Sequence, residues 1–344
     1  MKAAVLHGKK DVRIEDVEIP RLKPGEVRLK IEAALTCGTD LKAYRRGYHA
    51  KMIPPPSVFG HELSGTVCEM GPDVADWNEG DRVVVANSAP CGECSLCLHE
   101  QESLCDELLF LNGAYAEYIN VPARIVEKNM HRLGPDTNFV DAALTEPLAC
   151  VVQGVAESRL WPGDRVLVIG AGPIGLMFIA LAHHLGCHVT VAGRTEQRLH
   201  AAKKLGAMHT VDMTGRDDLV AAIKASPSTG HGYDVVIEAT GKPEVWEAAV
   251  EVVRKGGIVN FFGDCPSGTE IKLDTGLLHY SSITLKASFH HTPHSVGKAL
   301  EFIEKGVITA ADFVSQEATL DDLPSVLASM NRNNQVIKTL IRAA

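Results

Sequence analysis

Four cysteines, Cys91, Cys94, Cys97 and Cys105, stand within 15 residues at C-x2-C-x2-C-x7-C spacing. Thiolates placed so closely match a closed, tetrahedral, all-cysteine zinc centre, structural because no coordination position stays open. Pro90, Gly92 and Glu93 interrupt the segment, which is not how small buried cysteines are spaced in an apolar core. A second group is dispersed. It comprises Cys37 in Thr36-Cys37-Gly38-Thr39-Asp40, His61 and Glu62 in Gly60-His61-Glu62, and Glu146 in Glu146-Pro147-Leu148-Ala149-Cys150. Singly each passes for a structural residue. Together they supply thiolate, imidazole and carboxylate, the donors of an open, catalytic zinc.

A third stretch, Val166 to Gly175, carries an apolar strand straight into Gly170-Ala171-Gly172-Pro173-Ile174-Gly175, and the helical run Leu176 to Leu185 follows. In that strand–turn–helix setting, G-x-G-x-x-G means dinucleotide binding. Gly170 allows the tight turn, Gly172 lets the backbone approach a pyrophosphate, and Gly175 lets helix and strand pack closely. The helix N-terminus offers unpaired N–H groups to the phosphates. About 20 residues further on, NAD-binding folds place an acid on the ribose 2′-hydroxyl. Here the strand runs into Gly193-Arg194-Thr195, so the acid position holds Gly193. A glycine leaves room for a 2′-phosphate, and the Arg194 guanidinium offers a fork to grip it. Arg198, one helical turn on, is placed to assist. The expected carrier is therefore NADP(H) in preference to NAD(H).

Two kinds of element must hold these residues. Up to about residue 150 the chain reads as short strands with turn signals: Met1–Leu6, Val12–Ile19, Glu26–Leu35, Leu63–Met70, Asp81–Ala86 and Ala114–Val121. Strands at that spacing predict a β-barrel-like domain. Near Val151 the rhythm changes to strands at Val166–Ile169, His188–Ala192, His209–Val211, Val235–Ala239, Ile258–Phe262 and Ile283–Ala287. Helical runs at Ile174–Leu185, Glu196–Leu205, Asp217–Ala225 and Pro243–Arg254 separate them. This alternation predicts an α/β fold with a doubly wound parallel sheet. Helices near Ser295–Lys305 and Leu320–Met330 and a strand at Val336–Ile341 complete the reading.

A chain of 344 residues, 45% hydrophobic and 22% charged, has the composition of about two globular domains. A formal charge of -9 leaves no basic footprint for nucleic acid or an anionic membrane surface. The apolar run at the N-terminus is too short for a signal peptide, and no stretch approaches the roughly 18 apolar residues of a membrane span. Clustered cysteines in such a chain point to metal rather than disulfides, and to the cytoplasm.

The Cys-Gly-Thr-Asp stretch, Gly-His-Glu, the four-cysteine lobe, Glu-Pro-Leu-Ala and the Gly-Ala-Gly-Pro-Ile-Gly turn occur in the order found in zinc-dependent medium-chain alcohol dehydrogenases. The chain most resembles the branch with sorbitol, L-idonate and threonine dehydrogenases, along essentially its whole length. Alcohol dehydrogenases hold their catalytic zinc with two cysteines and a histidine; this chain offers Glu where the second Cys would stand, as the polyol branch does. The resemblance implies a GroES-like catalytic domain over residues 1–150 and 288–344, with the structural zinc lobe at about 88–108, and a Rossmann domain over 151–287. It implies two zinc ions per chain. Cys37 and His61 would bind the catalytic one, with Glu62 or Glu146 as the third ligand while the other holds a metal-bound water. Cys150, four residues after Glu146, is read as a helix-buried small residue.

The chemistry implied is hydride transfer between a zinc-bound alcohol and the nicotinamide, with Thr39 placed as a proton-relay hydroxyl and Asp40 as a cap or supporting partner. Thr240, Phe262 and Ser288, at the ends of later parallel strands, are implied cofactor contacts. The expected substrate is a secondary alcohol of a polyol, cyclitol or sugar acid. Arg45-Arg46 could pair with an acid or phosphate on it, or could be a solvated run. L-threonine 3-dehydrogenase-like oxidation is the alternative, weakened by Lys42 where a histidine would be expected. A zinc-free quinone or enone reductase and a non-catalytic NADPH-binding protein both conflict with the intact donor set. Relatives imply a homotetramer or homodimer paired through the sheet edge at Ile283–Ala287.

Overall fold

The computed structural model describes residues 1–49, 52–226, 232–330 and 336–343. It divides into two units, residues 1–149 with 291–344, and residues 150–290.

In the first unit, strand Val27–Leu35 is the hub. It pairs antiparallel with Glu62–Met70, with Tyr118–Val121 and with Lys338–Arg342. Glu62–Met70 pairs on with Arg82–Val85, and that strand with Met130–Arg132. Val314–Thr319 closes the other side, parallel to Lys338–Arg342. Alternate residues of the hub strand, Val27, Leu29 and Ile31, turn into a core with Leu6, Phe59, Leu63, Tyr115 and Ile125. The period-2 pattern read from sequence is thus the buried face of this curved sheet. A smaller sheet joins Lys2–Gly8 to Asp11–Asp16 and Ser57–Val58.

Helices not anticipated here include Gly38–Arg46 and Ala123–Asn129, with the short turns Ser95–Leu98, Phe139–Ala142 and Ala310–Phe313. The first is short and rich in polar residues, so it lacks an apolar stripe, and its start is defined by capping. The expected strand Ala114–Val121 is shorter, Tyr118–Val121, because Ala116 makes only an isolated bridge to Ala3. The expected helix Leu320–Met330 opens as a 3₁₀ turn, Leu320–Asp322, before the α-helix Leu323–Ser329.

The second unit carries a six-stranded, all-parallel sheet. Its spatial order is His209–Asp212, His188–Gly193, Arg165–Ile169, Tyr233–Glu238, Val253–Phe261, Thr284–Ala287. In sequence order this is 3-2-1-4-5-6, the doubly wound dinucleotide-binding arrangement whose direction reverses beside the first strand. Helix Pro173–His184 buries every residue from Gly175 to Ala182, which explains why its run is apolar all round. Asp234 ties the lower ends of three strands together, accepting from the Arg254 Nε at 2.5 Å and from Arg165 N and Nε at 2.7 and 3.3 Å.

Candidate active site

In the first unit, the register pairs Leu35 with Glu62, so the segments that follow the one and precede the other emerge side by side. That is how Cys37 and His61, far apart in sequence, come together. Ligand atoms of Cys37, His61 and Glu62 all lie within 4.8 Å of one another. Cys37 is the N-cap of helix Gly38–Arg46: its Sγ accepts from Thr39 N, and Asp40 returns the bond to Cys37 N at 3.0 Å. Cys-Gly-Thr-Asp is therefore a capping box with sulfur at the cap, which also sets that sulfur on the positive end of a helix. Thr39 is half-buried in the first turn, and Arg45 and Arg46 are exposed in the last, where cations suit the dipole.

Asp40 is fully buried, and its Oδ1 faces His61 Nδ1 at 3.1 Å. Its Oδ2 takes the Tyr115 hydroxyl at 2.6 Å. Burial and the Asp40 charge keep that phenol's pKa well above its ordinary value, so it stays a donor. Glu62 is equally buried and is gripped through both oxygens by Lys338 Nζ at 2.6 and 2.5 Å, while the same Nζ donates to Thr36 O at 3.0 Å. Burial disfavours the Lys338 cation, but Glu62 outweighs it and raises the lysine above its usual range. Burial pushes the Glu146 carboxyl up to about 7, with His61 opposing and Glu62 adding to the rise. Its carboxylate lies 4.0 Å from His291 Nε2, which is held by Asn87 Oδ1 at 2.9 Å.

This centre collects a thiol and three carboxyls, Asp40, Glu62 and Glu146, around one lysine. Burial opposes a charged His61, yet Asp40 and Cys37 raise its pKa well above normal. The cluster calls for positive charge, and a divalent cation on thiolate, imidazole and carboxylate would supply it. The donor chemistry fits zinc. Lys338 and Tyr115 are the members that sequence reading missed. A lone lysine inside the apolar strand 336–341 was the available signal for the first.

The four-cysteine lobe fits a metal by geometry. Its sulfur–sulfur distances are 3.9 Å for Cys91–Cys97 and Cys94–Cys105, and 3.5 Å for Cys94–Cys97 and Cys91–Cys105. A tetrahedron with metal–sulfur bonds of about 2.3 Å has edges of about 3.8 Å. Backbone N–H groups of Asp106 and Cys97 pull Cys94 down to about 6, whereas burial and the neighbouring sulfurs push Cys97 up to about 12. Such neighbours ionise together only around a cation.

In the second unit the glycine turn has the required shape. Gly170 sits at φ +116, and a Cβ on Gly175 would fall 1.8 Å from Gly170 O. A Cβ on Gly172 would meet no protein atom within 4 Å, so its smallness serves something outside the fold. Gly172 caps helix Pro173–His184, with Pro173 at its first position and Ile174 next. Gly193 ends the second strand, and a Cβ there would lie 2.9 Å from Ala171 Cβ. No acidic side chain fits. Arg194 beside it is exposed, Thr195 caps the next helix at φ 70, and Arg198 is half-buried a turn later.

Two of the later positions are engaged within the protein. Glu238, buried at the end of the fourth strand, takes both the hydroxyl and the backbone N of Thr240 and the backbone N of Gly241. The Ser288 hydroxyl donates to Glu157 at 2.5 Å and accepts from Asn260 at 2.9 Å. What Thr240 and Ser288 can offer a cofactor is chiefly backbone. Phe262 packs edge-on against Phe178 at 4.9 Å and borders a cavity of about 410 Å³ with Gly263, Asp264, Ser288 and Phe289.

A parallel sheet built for a dinucleotide and a thiolate–imidazole–carboxylate cluster define a zinc-binding dehydrogenase. Residues 23–131 match the alcohol dehydrogenase GroES-like domain and residues 173–305 the zinc-binding dehydrogenase domain. Sorbitol dehydrogenase of Bacillus subtilis is 30% identical over 99% of this chain and 97% of its own. L-threonine 3-dehydrogenase of Pyrococcus furiosus is 35% identical over 78% of this chain and 77% of its own. Among solved structures, a zinc-binding dehydrogenase of Sinorhizobium meliloti bound to NADP superposes with TM-score 0.91 at 29% identity, covering 99% of this chain and 98% of that one. The 2R,3R-butanediol dehydrogenase of Bacillus subtilis gives 0.87 at 30% identity, with 99% of both chains covered. The chain belongs to the zinc-dependent medium-chain alcohol dehydrogenases, in their polyol dehydrogenase branch, and is an alcohol-oxidising oxidoreductase with a GroES-like and a Rossmann fold.

Proposed function

We propose that the protein oxidises a secondary alcohol of a polyol, cyclitol or sugar acid, or reduces the matching ketone, with NADP(H) as carrier and two zinc ions per chain. When bound, the catalytic zinc would supply Lewis-acid polarisation of the substrate oxygen, and the nicotinamide would take or give the hydride. The protein's part is to bind and orient. Cys37 and His61 hold the metal, and Asp40, 3.1 Å from His61 Nδ1, would steady the ring once Nε2 is bound. Glu62 stands in the same cluster, but both its oxygens are committed to Lys338. Glu146, with no such cation on it, is therefore the carboxylate that completes the set. Thr39 carries the substrate proton towards solvent. Cys91, Cys94, Cys97 and Cys105 hold the structural zinc.

Gly170, Gly172 and Gly175 with the helix start at Pro173 and Ile174 hold the pyrophosphate, and Thr240, Phe262 and Ser288 border the nicotinamide end. Gly193 is the observation that carries the coenzyme choice: with Ala171 packed against it, no carboxylate can stand where a 2′-phosphate would sit. Arg194, with Thr195 and Arg198 behind it, then receives that phosphate. The neighbour bound to NADP agrees with this reading. Assembly as a homotetramer or homodimer would use the exposed outer strand Thr284–Ala287. A cytoplasmic site of action fits a chain in which no described helix is long and apolar enough to cross a membrane.

A panel of polyols, cyclitols, sugar acids and L-threonine, assayed with both coenzymes, tests the proposal. The expected result is turnover of a secondary alcohol with a kcat/KM ratio favouring NADP, and a loss of about tenfold or more in that ratio on Arg194→Ala. Preference for NAD that Arg194→Ala leaves untouched rejects the coenzyme assignment. Turnover of L-threonine alone transfers the substrate to the amino-alcohol reading.

A further inference from the structure

We propose that Tyr115 is a positioning residue of the catalytic metal site, acting through Asp40 to fix His61 and so to slow the loss of zinc. This rests on the reading of His61 as a zinc ligand and adds a member the ligand set does not include. Tyr115 is fully buried. Its hydroxyl lies 2.6 Å from Asp40 Oδ2 and 3.1 Å from Leu35 O. A phenol has one hydrogen to give, and the shorter contact to an ionised oxygen is the stronger.

The ring is held as firmly as the hydroxyl. Phe59 meets it edge-on at 5.1 Å, and a Cβ on Gly60 would come within 2.7 Å of it. Tyr115 N donates to Phe59 O at 3.0 Å, and its carbonyl accepts from Ala4 N at 2.8 Å. The side chain thus bridges the Phe59-Gly60-His61 segment and the Cys37-to-Asp40 cap, which leave two different strands.

A phenylalanine would fill the same apolar space. The hydroxyl is costly to bury without a partner, and its partner is a carboxylate whose other oxygen faces a metal ligand. That carboxylate has a specific task. With Oδ2 occupied by Cys37 N and Tyr115, Oδ1 is left facing His61 Nδ1 at 3.1 Å, near enough to attract an Nδ1 proton though not aligned as a hydrogen bond, and a metal on Nε2 would keep that proton on Nδ1. Remove the tyrosine hydroxyl and Asp40 keeps one backbone donor, loses its lateral restraint, and can turn away from His61.

The test uses the zinc-loaded enzyme and a double-mutant cycle in Tyr115→Phe and Asp40→Asn, reading zinc release to a chromogenic chelator and the visible spectrum after cobalt replaces the catalytic zinc. The expected result is about tenfold faster release of the catalytic zinc from Tyr115→Phe and a shifted cobalt spectrum, with release from the four-cysteine lobe unchanged. In the Asp40→Asn background, Tyr115→Phe should add little, because the group it restrains is already altered. Unchanged release and spectrum in Tyr115→Phe, or an equal, additive effect in both backgrounds, overturns the proposal while leaving His61 a ligand. A wild-type chain holding only the four-cysteine zinc overturns the reading of His61 and this proposal with it. A zinc-free melting temperature within a few degrees of wild type confirms that Tyr115→Phe is folded; if it is not, a fluorinated tyrosine at position 115, whose more acidic hydroxyl donates more strongly from the same space, is expected to slow zinc release instead, and unchanged release then overturns the proposal.

Discussion

Glu62 lies in the Cys37–His61 cluster and Glu146 near enough to feel its charges, and the groups beside them decide what each can do. Glu62 has a buried lysine on both oxygens; Glu146 has none, and burial has already raised its carboxyl to about 7. Glu146→Gln is therefore expected to lose catalytic zinc, with affinity falling by at least about tenfold, and to keep the zinc of the four-cysteine lobe. Glu62→Gln is expected to keep both metals but to melt earlier, since it strands the Lys338 charge in the interior. Metal analysis after dialysis, beside a melting curve, separates them; equal zinc loss from the two variants would reject the assignment. The sequence made the ligand types legible, because Cys, His and Glu in those short motifs have few other uses in combination. It could not rank the two glutamates. The discriminating residue, Lys338, sits 276 positions from Glu62, and only the pairing of Leu340 with Leu35 brings its strand alongside. Tyr115 was hidden for the same reason, since its partner Asp40 lies 75 residues away.

At the scale of elements, all six strands of the second unit and the helices between the first five were readable, but helix Thr275–Ser281 and the early start of strand Val253–Phe261 were not. The central parallel strands, Arg165–Ile169, His188–Gly193 and Tyr233–Glu238, are largely buried and so appear as apolar runs with few rivals. Helices that begin on caps or carry no apolar stripe, such as Gly38–Arg46, were not. The lower rim of the parallel sheet offers a test of how its strands are held. Burial alone would raise the Asp234 pKa, but hydrogen bonds from Arg254 and Arg165 outweigh it and keep the carboxyl below its ordinary value. A carboxylate depressed in the folded state stabilises above its unfolded pKa of about 3.9 and ceases to do so as pH falls through the lower folded value. The stability gap between the wild-type chain and Asp234→Asn should therefore be full at pH 7 and should close below about pH 4. Urea midpoints measured across that range would show it, and a gap independent of pH would mean that the ion pairs contribute nothing.

Over the whole molecule, the four-cysteine lobe and the Cys37–His61–Glu62 cluster belong to the unit of residues 1–149 and 291–344, and the glycine turn belongs to residues 150–290. Scanning calorimetry should resolve that division. A chelator is expected to lower one transition and NADP to raise the other, each by linkage to the state that binds it. A single transition moved equally by both ligands would contradict independent units. The division also sets an order of assembly during synthesis. The nucleotide unit is one continuous segment and can fold as soon as it has left the ribosome. The catalytic unit is begun first and finished last: its hub strand, Val27–Leu35, must wait for Lys338–Arg342 to be translated before that edge is paired. Until then Glu62 has no counter-charge, and Cys37 and His61 stand at an unfinished edge. The full-length chain is therefore expected to hold the proposed catalytic zinc more tightly than a chain ending before Lys338, which equilibrium dialysis of the two would show.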